Sequence, residues 1–136
     1  MTNNTVQGRY LRDSSETASP ARLVVMLYDS LATRLLVAEQ ALDEGRAADA
    51  HEPLLHAQQI VLELLVALDP NRWDGAAGLA NLYVYLVHEL VEANRERDAR
   101  RVGVCRELVE PLREAWRAAL EHTTTGSPVE SVEALA

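Results

Sequence analysis

The sequence has no phenylalanine and no lysine, and it has a single cysteine. One cysteine excludes a disulfide within the chain. The formal net charge of −8 argues against nucleic acid and anionic membranes as main partners, because binding phosphate needs positive charge. No apolar run approaches the ~20 residues of a membrane span, and residues 1–18 lack the apolar stretch of a signal peptide. We therefore expect a soluble cytoplasmic protein without membrane insertion.

The sequence also lacks the motifs of common catalytic and metal centres. Di-iron bundles use inward-facing Glu-x-x-His pairs, and none of the four histidines has a glutamate three positions earlier. His88-Glu89 begins like a zinc-protease motif, but Glu92 stands where the second histidine would be. Cys105 falls on a predicted core stripe, where a thiol is a small buried apolar group. There is no glycine-rich phosphate loop, so we expect no enzyme, no cofactor and no metal site.

What the sequence does contain is the composition of helices. Apolar residues make up 48% of the chain, and glycine and aromatic residues are few, which favours an all-α fold. The clearest start signal is Ser19-Pro20. Serine can accept a hydrogen bond from a first-turn N–H, and proline has no N–H to leave unpaired. Apolar residues then recur in steps of three and four. We predict a helix from about Pro20 to Glu44, ended by Gly45.

Three further helices are predicted. Asp49 is the expected N-cap of the second helix, which has Pro53 near its first turn and ends at Leu68. The third helix covers residues 76–95. The fourth begins near Asp98, and Pro111 is expected to kink or split it. The predicted fold is an antiparallel up-down four-helix bundle over residues 19–122, with a flexible segment 1–18 and a disordered tail 123–136.

The predicted helices carry more apolar surface than one core stripe requires. The surplus lies on the second helix at Leu62 and Val66, and on the third helix at Val84, Val87 and Val91. Such a surplus is typical of a partner-binding groove, a thick core or a homodimer interface. The arginines between residues 95 and 106 are interleaved with carboxylates. This pattern favours a solvated turn with local ion pairs over a docking site for an acidic partner.

Three stretches resemble one protein family. Ser19-Pro20 followed by Leu23-Val24-Val25-Met26-Leu27-Tyr28-Asp29-Ser30 is similar to the first helix of the FliS family, whose pattern is Ser-Pro, then Leu-Val-x-Met-Leu-Tyr/Phe-Asp-Gly. Ser30 departs from the pattern. Leu82-Tyr83-x-Tyr85 and Ala93-Asn94 resemble Leu-Tyr-x-Tyr and Ala-Asn of the family's third helix. Leu112-Arg113-x-Ala115-Trp116 is the third match, and Tyr10 matches an N-terminal tyrosine. The resemblance covers about residues 10–120.

This resemblance implies a cytoplasmic flagellar export chaperone without catalytic activity. FliS proteins hold the C-terminal segment of flagellin, prevent its early polymerisation and deliver it to the export gate. Tyr10 and Leu11 would then cap the empty groove. The alternative is a self-associating helical adaptor whose surplus apolar face is a homodimer interface. The predicted partner-binding residues are Leu62, Val66, Asn81, Val84, Tyr85, Val87, Val91 and Asn94.

Overall fold

The protein is described by a computed structural model covering residues 19–69, 71 and 73–124. Four helices account for nearly all of this part of the chain: α1 (Pro20–Asp43), α2 (Ala47–Ala67), α3 (Ala76–Glu96) and α4 (Ala99–Thr124). They confirm the predicted all-α four-helix bundle. The predicted N-terminal segment 1–18, with its cap residues Tyr10 and Leu11, lies outside the described residues. So does nearly all of the predicted tail, residues 125–136.

The four helices form a ring in which α1 and α3 each pack between α2 and α4. Ion pairs between α1 and α4 give their relative direction, because Asp29 pairs with Arg113 and Arg117, whereas Glu39 pairs with Arg106. Later residues of α4 thus contact earlier residues of α1, so these two helices run antiparallel. The connections between consecutive helices are short, as an up-down bundle requires.

The start and end of α1 follow from its sequence. The Arg22 backbone N–H donates to Ser19 Oγ at 3.2 Å, and Pro20 occupies the first helical position. This confirms the predicted N-cap. After the helix, Gly45 has a φ of 74°, a left-handed conformation that glycine adopts without the Cβ penalty of other residues. The Arg46 N–H then donates to the Ala41 carbonyl at 2.7 Å and closes the turn.

The prediction that Asp49 caps α2 is wrong. The helix begins at Ala47, so the loop is shorter than expected, and Arg46 is the N-cap without a side-chain cap bond. The carboxylate of Asp49 instead pairs with the Arg46 guanidinium at 2.9 Å, which removes it from capping. Because α2 starts early, Pro53 lies inside the helix rather than at its edge. The proline is half-buried there and leaves the Asp49 carbonyl without its helical donor.

Pro111 was expected either to kink or to split the fourth helix. The split does not occur. α4 is a single helix from Ala99 to Thr124. A proline in a helix leaves the carbonyl four residues earlier without a donor, and here that carbonyl belongs to Glu107. Both residues are exposed, so water can hydrate the free carbonyl. Solvent thus offsets part of the cost that would break a buried helix.

The core is filled mainly by aliphatic side chains from all four helices. Leu31, Leu35, Leu54, Leu86 and Leu90 are almost completely buried. Cys105 and Trp116 of α4 are buried as predicted. Most of the apolar stripe predicted on α1 is core, but Leu42 is only half-buried. Five apolar residues of α1 lie outside that stripe. Val25 is buried, whereas the other four are partly or largely exposed: Leu23, Met26, Leu36 and Val37.

Candidate partner-binding surface

A hydrogen bond fixes how α2 and α3 lie against each other. The Asn94 side-chain amide donates to His51 Nδ1 at 3.0 Å, which places the start of α2 beside the end of α3. One helical turn is 3.6 residues, so residues spaced by three or four from these two follow the same edge of each helix. Residues of α2 at rising numbers therefore lie opposite residues of α3 at falling numbers.

This edge of the α2–α3 pair is apolar and exposed. Val66 is 84% exposed and Val84 is 57% exposed, whereas Val87 is half-buried. The apolar residues on the two facing edges, here called the α2–α3 seam, are Leu55, Leu62, Val66, Val84, Val87 and Val91. From Leu55 to Val66 the seam runs for about 16 Å at 1.5 Å per residue, or three helical turns. An exposed strip with six apolar side chains is unusual on a protein that has no partner.

Five of the residues predicted to bind a partner therefore share one surface: Leu62 and Val66 on α2, and Val84, Val87 and Val91 on α3. Asn94 lies at the end of the seam, where its side chain is engaged with His51. The structure thus brings together most of the predicted set, from two helices that are separated by a loop.

Asn81 and Tyr85 lie away from the seam. Glu89 on α3 pairs with Arg101 on α4 at 3.0 Å, which identifies the edge of α3 that faces α4. Tyr85 is one turn before Glu89 and is on that edge. Asn81 is on the outermost face of α3, between the two edges, and is exposed. A partner in the α2–α3 seam would meet these two residues only if it also extended over α3.

Leu55 belongs to the seam but was not among the predicted binding residues. It is 40% exposed and lies one turn from His51 on the same edge. The signal that identifies it is its spacing: Leu55 and Leu62 are seven residues apart, which is two helical turns. A search for apolar residues at this spacing along the whole helix would have found it.

Three of the five arginines in the basic cluster near the α3–α4 turn form ion pairs: Arg95, Arg101 and Arg106. Arg95 pairs with Glu92 at 2.6 Å and with Glu96 at 2.8 Å, and Arg101 pairs with Glu89. These contacts agree with the interpretation as a solvated turn with local ion pairs. Side-chain hydrogen bonds to Glu92 raise the pKa of the Arg95 guanidinium, which stays charged. The cluster is thus a weak candidate for docking an acidic partner.

The described part of the chain contains neither a cluster suited to metal binding nor an activated cysteine. Within residues 19–69, 71 and 73–124, no three His, Cys, Asp or Glu side chains come close enough to hold a metal ion. Burial raises the pKa of the Cys105 thiol to about 12, the opposite of what a nucleophile requires. None of the four helices is long and apolar enough to cross a membrane. The surface feature with functional promise is therefore the α2–α3 seam.

Comparison with known proteins gives the family. The chain matches the family model described as "Flagellar protein FliS" over residues 1–123. The chain belongs to the FliS family. It is 30% identical to the flagellar secretion chaperone FliS of Bacillus subtilis over 112 residues, covering 82% of this chain and 84% of the relative. It is 32% identical to the protein of the same name from Salmonella typhimurium over 103 residues, covering 74% of this chain and 76% of the relative.

The three stretches that resemble FliS meet in one place inside the bundle. Tyr28 of the first stretch and Tyr83 of the second share a hydrogen bond of 2.6 Å between their hydroxyl groups, and both side chains are buried. Burial raises the pKa of Tyr28 to about 12, and its hydrogen bond with Tyr83 opposes that shift. Trp116 of the third stretch lines the same small cavity as Tyr83. Burial also raises the pKa of Tyr83, so both phenols are neutral. In this FliS protein the three stretches therefore build the core.

A cavity of about 10 Å³ adjoins this aromatic cluster. Tyr83 and Trp116 line it together with Val24, Leu64, Ala67, Leu68 and Leu79. Holding one water requires roughly 10–15 Å³ and several polar partners, so this space is at the lower limit for a single water molecule. It is too small for an organic ligand.

Proposed function

We propose that this chain is a cytoplasmic chaperone for flagellin. It would bind the C-terminal segment of flagellin, prevent premature polymerisation and help to deliver flagellin to the flagellar export apparatus. The observation that carries the proposal is the exposed α2–α3 seam in a member of the FliS family. Related chains of similar length bear the name flagellar secretion chaperone, which supports a partner among exported flagellar proteins.

The seam suits an amphipathic helix. A helix of about eleven residues would span its roughly 16 Å and place apolar side chains at i, i+3, i+4 and i+7 between α2 and α3. Completing the burial of six partly exposed aliphatic side chains would contribute on the order of 5 kcal/mol before ordering costs. A segment that folds on binding must offset its lost entropy, so further contacts outside the seam are needed for tight binding.

The residues of the site would have different roles. Leu62 and Val66 would form one wall of the groove, and Val84, Val87 and Val91 the other. Leu55 would extend the first wall by one turn. Asn94 would close the end of the groove beside His51, and Asn81 and Tyr85 would touch a partner that also crosses α3. Tyr10 and Leu11 would occupy the groove when no partner is bound.

A matched pair of substitutions tests this site. Leu62 is 46% exposed on the seam and Leu36 is 45% exposed on α1, away from it. Leu62→Asp should weaken the binding of a flagellin C-terminal peptide at least tenfold in calorimetry, whereas Leu36→Asp should leave it within twofold. Both variants should keep the helical circular dichroism of the parent. Equal affinities of the two folded variants would refute the assignment of the seam.

The homodimer remains the second interpretation of the same apolar surface. Sedimentation of the free protein at several concentrations separates the two. A monomer whose Leu62→Asp variant loses peptide binding supports the chaperone. A dimer that the same substitution dissociates would mean that a second copy covers the seam.

A further inference from the structure

Two half-buried charged groups on α1 and α2 have no partner of opposite charge in the described part of the chain. Five arginines there are half-buried, and four of them pair with a carboxylate: Arg101, Arg106, Arg113 and Arg117. The fifth is Arg34, whose Nε is also buried without a hydrogen-bond partner. Seven carboxylates are half-buried, and six of them pair with an arginine: Asp29, Glu39, Glu89, Glu92, Asp98 and Glu110. The seventh is Glu63. A charge removed from water is costly unless it is paired, so these two groups need an explanation.

Arg34 lies on the edge of α1 that faces α2. Asp29 and Glu39 mark the opposite edge, because both pair with arginines of α4. Arg34 is five residues from each of them, which is about 140° of helical rotation. Since α1 packs between α2 and α4, this rotation turns Arg34 toward α2. Its guanidinium therefore belongs to the groove between α1 and α2.

Glu63 lies on the other wall of this groove. His51 marks the edge of α2 that faces α3, because its Nδ1 bonds with Asn94. Ile60 is half a helical circumference away from His51 and so is on the side of α1. Glu63 is one turn beyond Ile60. Burial raises the pKa of the Glu63 carboxyl, and the described part of the chain offers no positive charge to oppose that shift.

The groove has an uncharged centre and one charged group toward each end. Ser30 and Ile60 are equally far from Gly45 along the chain, so they lie at one level of the α1–α2 hairpin. Arg34 is nearer the loop and Glu63 is farther from it, so about 10 Å along the helices separates them and prevents an ion pair within one copy. Exposed apolar side chains adjoin both groups. We define the α1–α2 groove by six residues: Met26, Ser30, Arg34, Val37, Ile60 and Glu63.

We propose that two copies of this chain associate face to face through the α1–α2 groove, so that Arg34 of each copy pairs with Glu63 of the other. A two-fold axis that lies in the interface, midway between the two groups, brings them together. In such an interface, residue i of one copy contacts residue j of the other, and j contacts i. Both half-buried charges then have a partner, and Met26 of one copy comes to the level of Val37 of the other. The proposal rests on this chain alone and does not depend on the binding of flagellin.

The size of the groove predicts a weak dimer. From Met26 to Val37 the groove runs for about 16 Å, and it is two helices wide, or roughly 20 Å. With their side chains, two such faces bury on the order of 1,000 Å², which is at the low end for specific complexes. We expect a dissociation constant of roughly 100 μM. At low micromolar concentration the chain is then monomeric, and Glu63 is unpaired.

Mixing two charge-reversed variants tests the pairing between copies. In Arg34→Glu both contacts join two carboxylates, and in Glu63→Arg both join two guanidinium groups, so each variant repels itself. Each alone should associate at least tenfold more weakly than the parent in sedimentation equilibrium. An equimolar mixture should recover the parental association within threefold, because both contacts of the mixed dimer again join opposite charges. A mixture as weak as its components would overturn the proposal.

A matched pair of substitutions on α4 controls for the change in net charge. Arg100 and Glu107 are exposed and lie on a helix that does not border the groove. Arg100→Glu and Glu107→Arg change the net charge by the same amounts as the groove variants. Alone or mixed, they should associate within twofold of the parent. A loss of association in the control variants equal to that of the groove variants would overturn the proposal.

Folding and the choice of surface are checked separately. All variants should keep the helical circular dichroism of the parent; where a charge reversal does not, Arg34→Gln and Glu63→Gln replace it, and each should weaken association at least threefold. Val84→Asp, on the α3 side of the α2–α3 seam, should leave the dimer intact. A dimer that Val84→Asp dissociates, a dimer that both glutamine variants leave unchanged, or a parent that is still monomeric at about 500 μM would overturn the proposal.

Discussion

Removing either hydroxyl from the buried tyrosine pair should destabilise the protein, because the other hydroxyl loses its hydrogen-bond partner. Tyr83, which is 2% exposed, has Tyr28 as its hydrogen-bond partner among the described residues, so Tyr28→Phe leaves a buried hydroxyl unpaired. That loss costs about 1–3 kcal/mol. Tyr83→Phe leaves the buried Tyr28 hydroxyl in the same situation, so it should also cost about 1–3 kcal/mol. The free energy of unfolding of each variant follows from a urea melt.

The double variant tests the reasoning more strictly. Tyr28→Phe/Tyr83→Phe removes both hydroxyls and leaves none unpaired between them, so it should cost less than the two single changes added together, by about 1 kcal/mol. Tyr85→Phe is the control: Tyr85 is exposed, and its loss of a hydroxyl should change stability by less than about 0.5 kcal/mol. Strict additivity of the two single changes would refute this account.

The other predictions concern packing, backbone, charge and the N-terminal segment. Trp116→Ala should cost about 3–5 kcal/mol in a urea melt, because it leaves a cavity in the core; a loss below about 1 kcal/mol would contradict its burial. Arg97 has a φ of 55°, so Arg97→Gly should raise the free energy of unfolding by up to about 1 kcal/mol, whereas Gly45→Ala should lower it by about that much. Thermal melts that show the reverse signs would contradict the argument. Burial raises the pKa of Glu63, so the folded state favours the neutral carboxyl, and the ionised carboxylate destabilises the fold once the pH rises above that pKa. Glu63→Gln should therefore stabilise the protein at pH 7 but not below about pH 4. An equal change in stability at both pH values would refute this. Deleting residues 1–17 should keep the helicity, increase ANS fluorescence and tighten flagellin binding; unchanged dye and flagellin binding would mean that the segment caps nothing.

Helix positions could be predicted from the sequence where two local signals agreed. Ser19-Pro20 combines a cap acceptor with a residue that needs no donor, and the structure starts α1 there. At Asp49 one signal stood alone, and the neighbouring Arg46 competed for the carboxylate. At Pro111 the outcome depended on whether water reaches the freed carbonyl, which requires the exposed face of α4 to be known. Exposure follows from the packing of the whole bundle and is not a local property.

The sequence was enough to predict an apolar binding surface, but not which residues form it. The excess of valine and leucine on the second and third helices indicated an exposed apolar strip. Which residues share it depends on the register of the two helices, and His51 and Asn94 fix that register from opposite ends of a hairpin. Val84 and Tyr85 are neighbours in sequence, yet 100° of helical rotation places them on different edges of α3. A pattern within one helix could not distinguish them.

Co-purification with flagellin tests the central claim most directly. The full-length chain is mixed with intact flagellin, and separately with flagellin that lacks its C-terminal segment, and each mixture is passed over a sizing column. A flagellin chaperone of the proposed kind should elute as a complex with the intact protein and separately from the shortened one. Equal retention of both forms, or of neither, would contradict the proposal that this chain holds the C-terminal segment of flagellin.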